Sequence, residues 1–211
     1  MTATADGGTA PGRRELKKLA TREAVRAAAV RLAITHGVEN VTVERIAEAA
    51  DVSLRTFFNH YSSKEEAVFA AAEARAAELI TEFRGRPVDE PMLGALREAT
   101  LTVLGRDDTF GRDHLAVLRL LRGAPSLLAR QMVVMTEQEA SLAAAVADRL
   151  GTGAGDRLPQ IWSAAALAAL RIALDRWLVR AGDTDGDRRV DLLREEIDAG
   201  LALLAGGLDH R

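Results

Sequence analysis

TVERIAEAADVSLRTFFNHY, residues 42–61, reads as two short helices joined by a three-residue turn. Val43, Ile46, Ala47 and Ala50 fall at i, i+3, i+4 and i+7, one apolar stripe with Glu44, Arg45 and Glu48 turned outward. Thr42 suits the start of that helix. Asp51-Val52-Ser53 then breaks the period: Asp51 tolerates unusual backbone angles, Val52 is a lone apolar plug, and Ser53 is a favoured N-cap for a second helix. The restarted helix, expected from Leu54 to about His60, has Phe57 and Tyr61 four residues apart as anchors. Arg55, Thr56, Asn59 and His60 offer donors and acceptors to something outside. This is helix-turn-helix logic.

At these residues the chain resembles the TetR family of bacterial transcriptional regulators, over residues 21–66. The likeness is carried by Thr21-Arg22-Glu23-Ala24-Val25, Ala28-Ala29, Leu32, Gly37-Val38, Thr42-Val43, Ile46-Ala47, Ala50, Val52-Ser53, Thr56-Phe57-Phe58, His60-Tyr61 and Ser63-Lys64-Glu65-Glu66. Asp51 stands where the turn often has Gly, Ala33 where an aromatic often follows Leu32, and Phe57 where many members have Tyr, which removes a hydroxyl suited to phosphate. The resemblance implies a DNA-binding set of Thr42, Ser53, Leu54, Arg55, Thr56, Phe57, Asn59, His60 and Lys64. Thr42, Phe57, His60 and Lys64 sit where the family touches phosphates, and Lys64 falls in the first turn of the next helix, whose exposed amides favour anions. Leu54, Arg55, Thr56 and Asn59 are candidates for base edges, with Arg55 shaped for guanine and Leu54 or the Thr56 methyl for thymine. The plain readings are a surface histidine at 60 and a core tyrosine at 61. Arg13, Arg14, Lys17 and Lys18 either extend the contact or form a solvated basic tail.

The same stretch taken alone also fits a helical hairpin in an all-α core. Charge argues against that. Residues 11–64 hold ten Lys or Arg against six Asp or Glu, whereas residues 65–211 hold 18 against 24, within a chain of net charge −3. The attraction for phosphate is concentrated in one module. Arg outnumbers Lys 25 to 3 throughout, which fits an Ala- and Gly-rich genome composition better than a phosphate site. With 48% apolar residues over 211 positions, the sequence describes a globular chain able to bury a sizeable core. It has no cysteine, which excludes disulfides, thiolate metal sites and thiol chemistry. The longest apolar run, 163–170, is cut by Arg171 and is too short to cross a bilayer. Residues 1–12 lack the order of a secretion signal and read as a disordered tail. A cytoplasmic location is expected.

The remainder is a string of helices. Helix one is expected at 14–36, ending at Gly37; helix four starts with the capping box Ser63 and Glu66 and stops at Gly85-Arg86-Pro87, read as a joint. Helices five to nine are expected at 91–104, 113–122 with Asp113 as cap, 126–150, 158–181 and 188–205. Gly151 to Asp156 could pass for a phosphate loop, but no strand precedes it, so it reads as a linker. The fold class is all-α: residues 1–12 a tail, 13–66 a helix-turn-helix DNA-binding domain, 67–206 a helical effector-binding and dimerisation domain, and 207–211 a C-terminal tail. Helix eight is apolar all round from Ile161 to Leu174 except at Ser163 and Arg171, and helix nine adds Leu192, Leu193, Ile197, Leu201 and Leu204. A twofold homodimer through helices eight and nine is expected, in accord with the resemblance.

Two such heads enter successive major grooves of a near-palindromic, double-stranded operator. The C-terminal domain is expected to hold a small-molecule effector that releases DNA, lined by Leu118, Leu121, Met132, Met135, Trp162, Ala166 and Ala169, with Arg171 for a carboxylate or phosphate. Core packing and a local Arg171–Asp175 ion pair are the competing readings. Leu118-Arg119-Leu120-Leu121, 125–130 and 168–177 are similar to the TetR subgroup with an acyl-CoA-type effector domain, which includes the mycofactocin regulator; a long acyl chain is the effector this implies. Repression is the expected sense, with activation as the alternative within the family. A helical carrier or enzyme is the rival from another class, and the sequence offers it little: four histidines, no metal-ligand spacing, no serine nucleophile motif, and no cofactor or metal to expect.

Overall fold

Helix borders follow from local chemistry. In a computed structural model, which describes residues 12–105, 119–120, 122–182 and 186–207, α1 (Arg13–His36) ends at Gly37, whose positive φ of 79° lets its N–H reach the Ala33 carbonyl. A single 3₁₀ turn (Val38–Asn40) leads to α2 (Val43–Ala49) and α3 (Leu54–Phe58). Ser63 opens α4 (Lys64–Gly85) by accepting the Glu66 N–H at 3.1 Å, and the Glu66 carboxylate accepts in return from the Ser62 N–H and hydroxyl. The capping box forms, reaching back one residue further than expected. Then come α5 (Met92–Gly105), a 3₁₀ turn (Pro125–Leu127), α6 (Leu128–Leu150), α7 (Arg157–Ala181) and α8 (Gly186–Gly206). The helices expected at 126–150, 158–181 and 188–205 are thus α6, α7 and α8. The Asp113-capped sixth helix lies largely outside the described residues, as do residues 1–11. No strand occurs among the described residues.

The chain divides into two compact units, Met1–Ala70 and Ala71–Arg211. In the first, Val25, Ala28, Ala29 and Ala33 of α1 are buried together with Val38, Val41, Ile46, Ala47, Phe57 and Tyr61. In the second, Phe83 of α4, Leu96 of α5, Leu142 and Val146 of α6, Ala166, Leu170 and Trp177 of α7, and Leu193 and Ile197 of α8 form one core. The stop at Gly85-Arg86-Pro87 is therefore no boundary, because it lies inside the second unit. Arg149 of α6 holds it there: its guanidinium sits 5.1 Å from the centre of the Phe83 ring and donates to the carbonyls of Arg86, Pro87 and Glu90 at 2.6–3.1 Å.

α6 and α7 pack as a hairpin whose turn begins at Gly151, left-handed at φ 64°. α7 and α8 pack closely at Gly200, where a Cβ would stand 3.3 Å from the Ala169 carbonyl oxygen. Across the same pair, the buried Glu196 carboxylate accepts from Arg176 and Arg180, and the Trp177 indole N–H donates to the Arg189 carbonyl at 2.8 Å.

Candidate DNA-binding interface

The turn between α2 and α3 is built by three residues. The Val52 N–H bonds the Ala47 carbonyl and the Asp51 N–H bonds the Glu48 carbonyl, both at 3.0 Å, and Asp51 takes φ 54°. The sequence marked Asp51 for this; among the described residues it alone has positive φ without being glycine. Ser53 then accepts the Thr56 N–H at 3.1 Å, and Thr42 accepts the Arg45 N–H at 3.4 Å, so both short helices start where their caps put them.

Successive helical residues turn by about 100°, which places Leu54, Phe58, Arg55 and Asn59 in that order along one arc of α3. All four are exposed. Phe57, on the other side, is fully buried; Tyr61 is buried too, its hydroxyl donating to the Arg22 carbonyl at 3.2 Å, with the Arg22 guanidinium 5.5 Å from its ring centre. Tyr61 is the core residue expected.

Phe57 is a correction. A fully buried ring cannot reach a phosphate, and the exposed aromatic is its neighbour Phe58, 56% exposed and standing edge-on to Phe57 at 5.4 Å. The sequence reading gave Phe58 no role, although its i, i+4 spacing from Leu54 placed the two on one side of α3. Lys64 is the second correction. Its ammonium donates to the carbonyls of Val38 and Val41 at 3.0 and 2.9 Å, with Glu39 at 3.4 Å, so its donors tie α4 to the 3₁₀ turn instead of standing free for a phosphate. Thr56 is half-buried and its hydroxyl lies 2.9 Å from Ser53 Oγ, so these two hydroxyls serve the cap.

His60 is half-buried just after α3, and its pKa lies below the ordinary histidine value. Partial burial is the main cause, and the positive charges of Lys18 and Arg22 add to it. Cations of α1 therefore stand near the end of α3. With Arg55 exposed on the arc itself, this end of the head carries positive charge, chemistry suited to a polyanion.

Those expected effector-lining residues that the structure describes do not converge. Leu118 and Leu121 lie outside the described residues. Met132 is 58% exposed near the start of α6, whereas Trp162 sits near the start of the antiparallel α7, roughly 20 Å along the hairpin from Met132, stacked at 6.0 Å against Phe83. Met135 is half-buried one turn after Met132. Ala166 is core, and Ala169 packs under Gly200. Arg171 pairs with Asp175 at 3.6 Å, and Asp175 also pairs with Arg122, the local ion pair that competed with the anion-site reading.

A capped helix-turn-helix head joined to a larger helical unit is the architecture of a DNA-binding transcriptional regulator. Residues 25–71 match the family described as bacterial regulatory proteins of the tetR family, and residues 90–209 match the MftR C-terminal domain. The chain belongs to the TetR family. It is 36% identical to the HTH-type transcriptional regulator TcmR of Streptomyces glaucescens over 182 residues, 83% of this chain and 80% of that one. Identity is 28% to a protein of Mycobacterium tuberculosis named, provisionally, the mycofactocin biosynthesis transcriptional regulator MftR, over 86% of this chain and 88% of that one. Among solved structures, the FadR repressor of Thermus thermophilus, in complex with lauroyl-CoA, shares the fold with a TM-score of 0.53 at 24% identity, covering 90% of this chain and 96% of that one.

Proposed function

We propose that this regulator is a cytoplasmic repressor that binds a near-palindromic operator as a twofold dimer through α3 and is released by a small apolar or acyl-type effector. The observation that carries the DNA side is the outward arc of α3: four exposed side chains, two of them the donors Arg55 and Asn59, on a helix whose opposite side is locked into the core. In this reading Arg55 and Asn59 take base edges, Leu54 takes an apolar base contact, and Thr42, His60, Lys18 and Arg22 line the phosphates. The 13–66 head and 67–206 body remain the working division of labour.

The dimer, expected through helices eight and nine (α7 and α8), rests in this reading on α7, because Leu192, Leu193, Ile197 and Leu201 of α8 are buried in the chain's own core. In α7 the buried residues Pro159, Ser163, Ala166, Leu170, Ala173 and Trp177 occupy one side, while Leu158, Ile161, Ile172 and Val179 are 50–83% exposed on the opposite side, with Ala165 and Ala168 between them. A helix apolar on two sides needs cover on both, and its partners α6 and α8 leave Leu158, Ile161, Ile172 and Val179 exposed. A second copy of the chain covers the other side with a self-complementary stripe, and two heads then raise affinity by effective concentration.

For the effector, the lauroyl-CoA held by the FadR of like fold and the match to the MftR C-terminal domain support an acyl-type molecule. A tenfold release from DNA needs an effector preference of about 1.4 kcal/mol for the non-binding state. The deciding experiment selects an operator from random DNA with the full chain, then measures binding to it and to a scrambled version at one stated salt concentration. Equal affinity for both would remove the sequence-reading role of α3.

A further inference from the structure

Arg122 and Arg171 bond the same carboxylate, Asp175: Arg122 takes one oxygen, and Arg171 stands 3.6 Å from the other. The local ion pair therefore leaves positive charge over. Arg119 adds to the excess. It lies three residues before Arg122 on a helical stretch, donates to the Gly182 carbonyl at 3.3 Å, and has no carboxylate partner among the described residues. Arg171, Asp175 and the cap Gly182 fall within about 40° of one another around the α7 axis, so the three guanidiniums gather along one flank of that helix. Elsewhere in the second unit the charges pair more evenly: Arg86 with Glu90, Arg130 with Glu73, and Arg176, Arg180 and Arg188 with Glu195 and Glu196.

The Arg122 side chain is only 25% exposed. Burial holds its pKa below the ordinary arginine value, Asp175 opposes this, and the charge of Arg171 adds to it. A half-buried cation that a shared carboxylate compensates only in part favours a further anion. Guanidinium forks match phosphate oxygens two at a time, and a phosphate can accept from more than one fork at once. The geometry points to a phosphate-binding site on the flank of α7, with Arg122 and Arg171 as its forks and Arg119 as an outlying cation. The phosphate belongs either to an effector that carries it beside an acyl chain or to a free phosphate compound, and the chemistry at the arginines is the same. The first source rests on the acyl-type effector proposed above. The site itself does not.

The test is calorimetric titration of the full chain at one stated salt concentration, with lauroyl-CoA, dodecanoate and inorganic pyrophosphate as probes. Lauroyl-CoA should bind about tenfold more tightly than dodecanoate, the least expected from one hydrogen bond to a charged group. The double variant Arg122→Gln, Arg171→Gln should erase that margin, keep the dodecanoate affinity and weaken pyrophosphate to a similar extent. Asp175→Asn supplies the sign that a merely structural ion pair would not give. It removes the competing carboxylate, so both phosphate probes should bind severalfold more tightly. Circular dichroism and melting check that each variant is folded. Pyrophosphate binding that the double variant loses, without any margin for lauroyl-CoA, supports the site and assigns it to a free phosphate compound; the acyl-type effector reading then fails alone. A margin that survives in the folded double variant, weaker binding of the phosphate probes to Asp175→Asn, or no binding of either phosphate probe to the wild type overturns the inference.

Discussion

Asp51 shows how one residue sets the geometry of the reading head. Its φ of 54° belongs to a region that costs an L-residue free energy and that glycine enters freely. Asp51→Gly should therefore raise stability by roughly 0.5–1 kcal/mol, seen as a higher midpoint in urea, whereas Asp51→Val should lower it. Arg55 carries the converse lesson, since it is exposed and shares no ion pair among the described residues. Arg55→Ala should leave melting unchanged, cost about 1–3 kcal/mol in operator binding and relax preference at a single base pair; uniform weakening across operators would make it a phosphate contact. His60 supplies the pH dependence. Its pKa is held below the ordinary value of about 6.5 by partial burial and by Lys18 and Arg22, so the folded state prefers the neutral ring. The stability this contributes is present above pH 6.5 and is lost as pH falls through the lowered pKa. Denaturant melts at pH 7.5 and 5.5 should show a smaller drop for His60→Gln than for wild type.

At the scale of elements, what the sequence made legible was local. Thr42, Ser53, Gly37 and the pair Ser63 and Glu66 each announce a helix end through a bond to a backbone group a few residues away, and each forms. The Phe57–Phe58 exchange was not legible in that way. Adjacent residues on a five-residue helix differ by about 100°, and which aromatic turns inward is decided by how α3 packs on α2, which periodicity over five residues does not fix. The placing of the effector-lining candidates was not legible for a related reason: Met132, Trp162 and Ala169 satisfy helical periodicity equally well as core, surface or lining, and only the α6–α7–α8 arrangement sorts them. That arrangement carries its own test at Gly200. Glycine in mid-helix ordinarily lowers stability, but here it permits contact with the Ala169 carbonyl. Gly200→Leu should destabilise by about 2 kcal/mol through overpacking, read as a lower melting midpoint with helix content retained below the transition.

For the whole molecule, the exposed apolar side of α7 is where the proposed dimer can be tested. Replacing Ile172 and Val179, 50% and 83% exposed, by Glu would put four charges across the stripe of the proposed twofold pair. The double variant should sediment as a folded monomer and bind its operator on the order of 100-fold more weakly, the size of effect expected when two linked heads become one. A double variant that stays dimeric would move the interface elsewhere. No helix among the described residues is long and apolar enough to cross a membrane.

The two tryptophans lie in different settings. Trp177 is sealed, with its indole N–H on the Arg189 carbonyl, while Trp162 is half-covered beside Phe83. The two should therefore differ in emission, Trp177 further to the blue and shielded from quenchers, Trp162 further to the red and within reach of iodide. Candidate effectors, the proposed acyl compounds among them, can be screened by watching which of the two emissions changes, with no dye attached to the protein.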